Sequence, residues 1–407
     1  MFGTKAHLNT AFSSLVNLEI PIGLRDTTMR TKIPYTEKDL VRIAKRDNNT
    51  KRPYLLVNPL QGKHFPAAPS KTLSLLRCLA DKLYRRHAGE RLLIIGFAET
   101  ATAIGAAIAC HSPEDLFYLQ TTRETVPGAE YICFSEAHSH ATEQKLAKNH
   151  LKEQLSQVDR IVFAEDEVTT GNTISNIVRL LREEYGAHLK FGIASLLNAM
   201  PEASLGQFER GGIICTYLVK VTPTDYTPLL EHYTYEERLR KKPSSDGSTL
   251  PAVRTISGYI NTRIGTSTRL YQESCLQMTR NLLRHVDFST LAGRRVLVLG
   301  TEEFVYPPLL LADCLERECG CAEVTFHATT RSPILPSAEP DYPFFNRYRL
   351  RSMYDEARTT YVYNLKPYDQ VFVLHDAPQA SVAGLSDLYG ALQDAGCRNI
   401  QILQWRN

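Results

Sequence analysis

Four short apolar runs limit the folds open to this chain. Residues 92–95, 161–164, 296–299 and 371–374 are each apolar throughout, and each is followed by a turn carrying glycine or an acid. A stretch with helical periodicity follows each turn. Strands apolar on both faces, separated by helices, predict an α/β fold with a parallel sheet covered on both sides. In such sheets ligands collect beyond the carboxyl ends of the strands. The turns after these runs are therefore where chemistry is expected.

The stretch 235–257 breaks the pattern. It contains Lys241-Lys-Pro-Ser-Ser-Asp-Gly-Ser-Thr-Leu-Pro251, with no periodicity, and reads as a linker. The predicted organisation is a first domain over 1–234, a linker over 235–257 and a second domain over 258–407. The two sides look alike. Asn58, Gly96, Glu99, Arg123, Asp166 and Gly186 face Asn261, Gly300, Glu303, Arg331, Asp376 and Gly396. Gly96 follows Asn58 by 38 residues and Gly300 follows Asn261 by 39. From aspartate to the last glycine the gap is 20 in both. The alternative is two unrelated α/β domains with coincident turns, but five matched segments in register, one of them holding both Gly96 and Glu99, favour duplication into two α/β halves.

The chain has 407 residues, 43% of them hydrophobic, which is enough for two or three cores. A net charge of +3 argues against a general nucleic-acid binder. The basic run Arg238-Leu-Arg-Lys-Lys242 reads as solvated linker. No stretch approaches the roughly 20 apolar residues of a membrane helix, and the first residues lack a signal-peptide pattern. Nine cysteines without a Cys-x-x-Cys pair predict reduced thiols and a cytoplasmic protein.

The sharpest local signal is Arg160-Ile-Val-Phe-Ala-Glu-Asp-Glu-Val-Thr-Thr-Gly-Asn-Thr173. A strand here delivers Glu165 and Asp166 to its carboxyl end. Adjacent carboxylates accept charge-assisted hydrogen bonds from vicinal hydroxyls, such as those of a ribose. Thr169, Thr170, Gly171, Asn172 and Thr173 then turn into a helix, whose N-terminus is an anion site. Gly171 lets backbone approach a phosphate closely. An ordinary capped turn predicts one capping residue. Two acids with three threonines around a glycine describe a site for a phosphorylated sugar.

This segment resembles the phosphoribosyl-pyrophosphate motif of type I phosphoribosyltransferases. Two positions depart from it. The first acid is Glu165 where aspartate is usual, and Glu167 replaces an apolar residue, leaving open a second active-site carboxylate or a surface group. The resemblance implies that the loop Phe97, Ala98, Glu99 and Thr100 presents backbone N–H groups to pyrophosphate, often through an unusual peptide. It also implies that Glu99 and Thr100 help hold Mg²⁺ or the acceptor, and that Arg123 binds pyrophosphate. Residues 127–144 stand in the flexible-hood position. There Glu136, His138 and His140 are candidates for substrate contact, with a metal-binding His-x-His pair as the alternative. Lys63, in a Pro- and Gly-containing turn, is either a phosphate partner or simply exposed.

Asn58-Pro-x-x-Gly-Lys-His64, Glu136-x-His-Ser-His-Ala141 and Thr330-Arg-Ser-Pro333 together resemble one subfamily. It is the orotate-phosphoribosyltransferase-like family of tellurium-resistance and stress-response gene clusters, with a C-terminal TRSP domain. It implies a phosphoribosyltransferase fold, phosphoribosyl pyrophosphate as donor and Mg²⁺ reached indirectly by Glu165 and Asp166. It also implies synthesis of a nucleotide-like metabolite from a small-molecule acceptor. By analogy with dimeric relatives, the halves form a pseudo-dimer in which Thr330, Arg331 and Ser332 reach the first site, with a homodimer of the whole chain left open. The second half lacks the phosphate cradle, because Pro378 removes a donor where the cradle needs one. A non-catalytic sensor of phosphoribosyl pyrophosphate or a nucleotide is the competing reading, against which the hood argues.

Overall fold

The computed structural model describes residues 35–47, 49, 52–134, 143–243, 250–285 and 288–407. The first half runs α1 (Glu37–Leu40), β1 (Arg42–Lys45), β2 (Tyr54–Val57), α2 (Pro69–Arg86), β3 (Leu92–Gly96), α3 (Thr102–His111), β4 (Phe117–Gln120), β5 (Tyr131–Phe134), β6 (Gln144–Ala147), α4 (Leu151–Leu155), β7 (Arg160–Val168), α5 (Asn172–Tyr185), β8 (Phe191–Asn198), α6 (Glu202–Arg210), β9 (Ile213–Lys220) and α7 (Thr227–Leu230). The chain continues through β10 (Arg240–Lys241), β11 (Val253–Ile256), β12 (Thr266–Ser267), α8 (Thr268–His285), β13 (Arg295–Gly300), α9 (Tyr306–Glu318), β14 (Glu323–Ala328), β15 (Arg347–Arg351), β16 (Thr359–Tyr363), β17 (Gln370–His375), α10 (Val382–Asp394) and β18 (Ile400–Trp405).

All four apolar runs lie in central strands. The first sheet has the order β12-β4-β3-β7-β8-β9, parallel except for β12. The second has the order β11-β18-β17-β13-β14 and is parallel throughout. The stretches β4-β3-β7-β8 and β14-β13-β17-β18 therefore match in order and direction. Helices cover the sheets because their apolar residues recur on one face. In α5 the buried set is Ile174, Ile177, Val178 and Leu181, at helical spacing. Part of the stretch read as linker is strand: β10 pairs with β15, and β11 forms an edge beside β18. Only Ile256 of β11 is buried, so the segment carries no apolar signature. No helix among the described residues is long and apolar enough to cross a membrane.

One apolar core runs through both halves, from Leu40 to Trp405. Helix α9 packs against α2, α3 and α8. Each half also sends a segment to the other's sheet. Asn58 and Asn261 each open a turn in which Oδ1 accepts the N–H two residues on, from Leu60 at 2.9 Å and Arg263 at 3.1 Å. Beyond the first turn, Ala67 pairs antiparallel with Phe326 of β14. Beyond the second, β12 pairs antiparallel with Tyr118 and Phe117 of β4. Each crossing leads to an 18-residue helix, α2 or α8. Gly62 is required in the first crossing: its φ is +74°, and a Cβ there would lie 2.3 Å from the Phe326 ring. Tyr342 and Phe344 are buried with Ala44 and Val57, and the Phe344 ring lies 4.5 Å from Phe65. That aromatic segment is interface.

Charge complementarity fixes how the halves meet. Glu99 accepts from Thr330 Oγ1 (2.7 Å) and the Arg331 N–H (2.6 Å). Reciprocally, Glu303 accepts from Thr122 Oγ1 (2.7 Å) and the Arg123 N–H (2.9 Å). Arg263 bridges Glu303 (3.0 Å) and Asp376 (2.5 Å), all three buried. Burial alone would raise Glu303, but Arg263, Arg331, the Arg123 N–H and Thr122 hold its pKa at about 2.

Removing Arg263 leaves two buried carboxylates short of their cation. Arg263→Met is expected to cost about 3–5 kcal/mol in denaturant unfolding, far more than Arg179→Met at the exposed Arg179–Glu183 pair. Equal losses would remove the network from the account of stability. The buried His375 ring, with no partner for either nitrogen among the described residues, has its pKa lowered by burial from 6.5 to about 4. Between those values the unfolded chain binds a proton that the folded chain refuses, so stability falls as pH falls. The melting temperature should drop from pH 7 to pH 5, and less so in His375→Leu. An equal drop in both proteins would acquit this histidine.

Candidate active site

Strand β3 pairs with β7 only as far as Gly96 and Ala164, whereas β7 continues beside β8 to Val168. Glu165, Asp166 and Glu167 thus overhang the carboxyl edge of the sheet, with successive side chains alternating in direction. Asp166 Oδ1 accepts from Thr100 Oγ1 at 2.9 Å, and burial raises its pKa. Glu165 is half-buried beside it. Glu167, for which an active-site and a surface role stood open, is ion-paired to Arg52 at 2.7 Å. Burial lifts its pKa to about 7, even though Arg52 opposes that. Nothing in the sequence marks Arg52 as standing at this rim.

The strand turns into α5 through Thr169, half-buried, and Thr170, exposed. The Asn172 N–H donates to Thr170 Oγ1 at 3.3 Å, and Thr173 lies in the first turn of the helix. Gly171 has φ +75°, and a Cβ on it would meet the Phe208 ring at 2.5 Å. No side chain fits there without displacing that ring. The apolar stripe of α5 holds the helix on the sheet, so its N-terminal donors stay at the crevice.

The loop after β3 corrects part of the expectation. The Phe97 N–H is bound by Ala164 O (3.1 Å) and the Ala98 N–H by Thr121 Oγ1 (2.8 Å). The Phe97 ring is core, packed on Phe134 and Phe163. Phe97 and Ala98 therefore have no N–H left for a ligand. The N–H groups of Glu99 and Thr100 have no partner among the described residues. The Ala98–Glu99 peptide is cis, where the resemblance implies an unusual peptide. The Glu99 carboxylate is committed to Thr330 and Arg331 rather than to a metal or acceptor. Burial raises its pKa, but Lys63 and Arg331 outweigh that and lower it.

Arg123 stands differently. Among the described residues no carboxylate lies within ion-pair distance of its guanidinium, and its buried Nε has no partner. Burial and neighbouring Arg331 depress its pKa. A largely buried cation without a counter-ion favours an incoming anion.

Two expected phosphate contacts are corrected. Lys63 is buried, and its ammonium donates to Glu302 O (2.5 Å) and Thr329 O (2.8 Å), with Glu99 at 3.7 Å. It ties the halves together, because a buried ammonium needs carbonyl and carboxylate partners. The Arg331 guanidinium binds Glu124 (3.0 Å), Glu302 (3.1 Å) and Glu303 (3.3 Å), so its charge is already neutralised. Glu136, His138 and His140 lie outside the described residues. The hairpin β5–β6 flanks them in sequence, and Thr121 Oγ1 donates to Gln144, the first residue of β6, at 2.7 Å.

The corresponding place in the second half is filled. Asp376 accepts from Arg263, Tyr354 (2.7 Å) and Tyr259 (2.9 Å). Glu302, Arg263 and Arg358 did not stand out in the sequence, and Glu303 did so only as the repeat counterpart of Glu99. The signal available was the repeat itself, which matches Glu99 with Glu303 and Arg123 with Arg331.

Against this geometry, residues 40–221 match the family model described as phosphoribosyl transferase, and residues 261–392 match that of the TRSP domain, C-terminal to it. No curated protein matches the chain. Among solved structures, the chain is similar to the adenine phosphoribosyltransferase of Rhodothermus marinus (15% identity, 52% of this chain and 99% of that one, TM-score 0.32). It is also similar to that of Trypanosoma brucei in complex with AMP, pyrophosphate and ribose-5-phosphate (17%, 45% and 77%, 0.31). The orotate phosphoribosyltransferase of Mycobacterium tuberculosis is another (14%, 44% and 89%, 0.27). Residues 40–221 thus form a domain of the phosphoribosyl transferase family, on an α/β parallel-sheet fold, and residues 261–392 the TRSP domain C-terminal to it.

Proposed function

We propose that this protein is a cytoplasmic enzyme that transfers a 5-phosphoribosyl group from phosphoribosyl pyrophosphate to a nucleobase-like or aromatic acceptor. The observation that carries this is the strand overhang. It sets Asp166, braced by Thr100, beside the left-handed turn at Gly171 and the N-terminus of α5. Glu165 and Asp166 would accept from the ribose hydroxyls, and Thr169 to Thr173 would hold the 5-phosphate. Arg123 and the N–H groups of Glu99 and Thr100 would take the pyrophosphate.

In the reaction the bond from ribose C1 to the pyrophosphate oxygen breaks, and pyrophosphate leaves with the electron pair. A lone pair of the acceptor forms the new bond at C1. Positive charge grows on the ribose ring and negative charge on the leaving group, so fixed carboxylates and Arg123 stabilise what develops. Mg²⁺ fits the hard oxygen donors of Glu165 and Asp166 and would neutralise pyrophosphate. No cluster of three metal-ligating side chains occurs among the described residues, so the ion would rest mainly on the donor's own oxygens.

The second half, in this reading, is a duplicated scaffold whose donor site has closed, and the halves form a pseudo-dimer within one chain. The matching strand orders and reciprocal crossings support it. The domains are 1–234 and 258–407, joined by 235–257. The product would be a nucleotide-like metabolite of the tellurium-resistance setting that the subfamily resemblance implies.

Incubation with phosphoribosyl pyrophosphate, Mg²⁺ and a panel of nucleobases and aromatic acids should release pyrophosphate only when the right acceptor is present. Saturable donor binding without turnover for any acceptor would favour a sensor. The double variant Asp166→Ala/Thr170→Ala should lose donor binding, and unchanged affinity would sink the site assignment. Gly171→Ala should weaken donor binding and cost about 1–2 kcal/mol of stability, because φ is positive and Phe208 must move. A variant as stable and as tight-binding as the parent would refute that role.

A further inference from the structure

We infer that Thr330 and the Arg331 N–H of the TRSP domain position the pyrophosphate loop of the other domain by gripping Glu99. This rests on the donor-site reading above. The loop's own half anchors it on both sides of Glu99. Phe97 and Ala98 give their N–H groups to Ala164 and Thr121. On the far side Gln61 Nε2 donates to Thr100 O at 2.7 Å, and Thr100 Oγ1 donates to Asp166. Between these anchors the Glu99 carbonyl has only a long contact from Thr102 Oγ1 at 3.4 Å, a hydroxyl that lies closer to Glu303 O at 3.0 Å, so the Glu99 side chain is the firmer hold on the Glu99 and Thr100 peptide planes. Both of its short hydrogen bonds come from the second half, from Thr330 Oγ1 at 2.7 Å and the Arg331 N–H at 2.6 Å. Its other oxygen, Oε2, has no hydrogen bond among the described residues, only Lys63 and Arg331 Nε at 3.7 and 3.6 Å.

A buried carboxylate held this way cannot turn without leaving two donors and itself unpaired. It therefore fixes the orientation of the two N–H groups that remain for pyrophosphate. The second half makes the same grip in reverse, Thr122 and Arg123 on Glu303, but Arg263, Tyr259 and Tyr354 already occupy Asp376 there. One grip is architectural, and its counterpart also aims a binding loop. The TRSP domain thus takes part in donor binding without touching the donor. Thr330 is a positioning residue.

The test is calorimetric titration of the full chain with phosphoribosyl pyrophosphate and Mg²⁺, together with melting temperatures. Thr330→Val should weaken donor affinity about tenfold, and Thr330→Ser, which keeps the hydroxyl, should restore it to within about twofold. Thr268→Val removes another buried hydrogen bond between the halves, from the Leu116 N–H to Thr268 Oγ1 at 3.0 Å, at the amino end of β4 and so opposite the edge that carries Glu99. It should lower the melting temperature comparably and leave affinity unchanged. Unchanged affinity in Thr330→Val, or an equal loss in Thr268→Val, overturns the inference while the donor site stands. A parent chain that binds no phosphoribosyl pyrophosphate overturns both.

Discussion

The structure depends on a buried exchange of charge between its halves. Glu99, Glu124, Glu302, Glu303 and Asp376 meet Lys63, Arg263, Arg331 and Arg358 around the loops that follow β3, β4, β13 and β14, with Arg123 beside them but outside ion-pair distance. Five carboxylates face five cations, so the cluster is neutral as a whole although each member is costly to bury. Such a cluster adds little net stability over an apolar filling. It does penalise every arrangement of the halves that leaves a member unpaired. The apolar core shared by α2, α3, α8 and α9 supplies the favourable burial, and the charges select one way of making it.

That exchange explains why similar scaffolds end differently. In the first half the aspartate at the strand end has a threonine partner and an open crevice. In the second half Arg263, two residues past Asn261, reaches Asp376 and fills the same place. In the first half the counterpart of Arg263 in the matching turn is Leu60, which carries no charge, and Lys63, three residues on, donates to carbonyls of the second half rather than to Asp166. The presence or absence of a cation at that turn position separates the two strand ends.

Much of this was legible in the sequence, and for a physical reason. Runs buried on both faces write themselves as apolar tetrads, so β3, β7, β13 and β17 were found. The donor motif was found because its chemistry lies within fourteen consecutive residues. What escaped depends on residues far apart in sequence. Glu99 reads as a metal or acceptor ligand until Thr330 and Arg331 are seen beside it. Lys63 reads as a loop cation because turn residues surround it, and only the second half's carbonyls explain its burial. Strand β11 carries one buried residue and so leaves no pattern. The repeat held the information in principle: two copies of an acid and of an arginine in register allow each acid to meet the other copy's loop.

Whether one or both of the similar halves take a donor is read from the stoichiometry of phosphoribosyl pyrophosphate binding to the full chain in the presence of Mg²⁺, by calorimetry. One donor per chain is expected. Two donors per chain would contradict the closure of the second half by Arg263, and none would contradict the donor site itself.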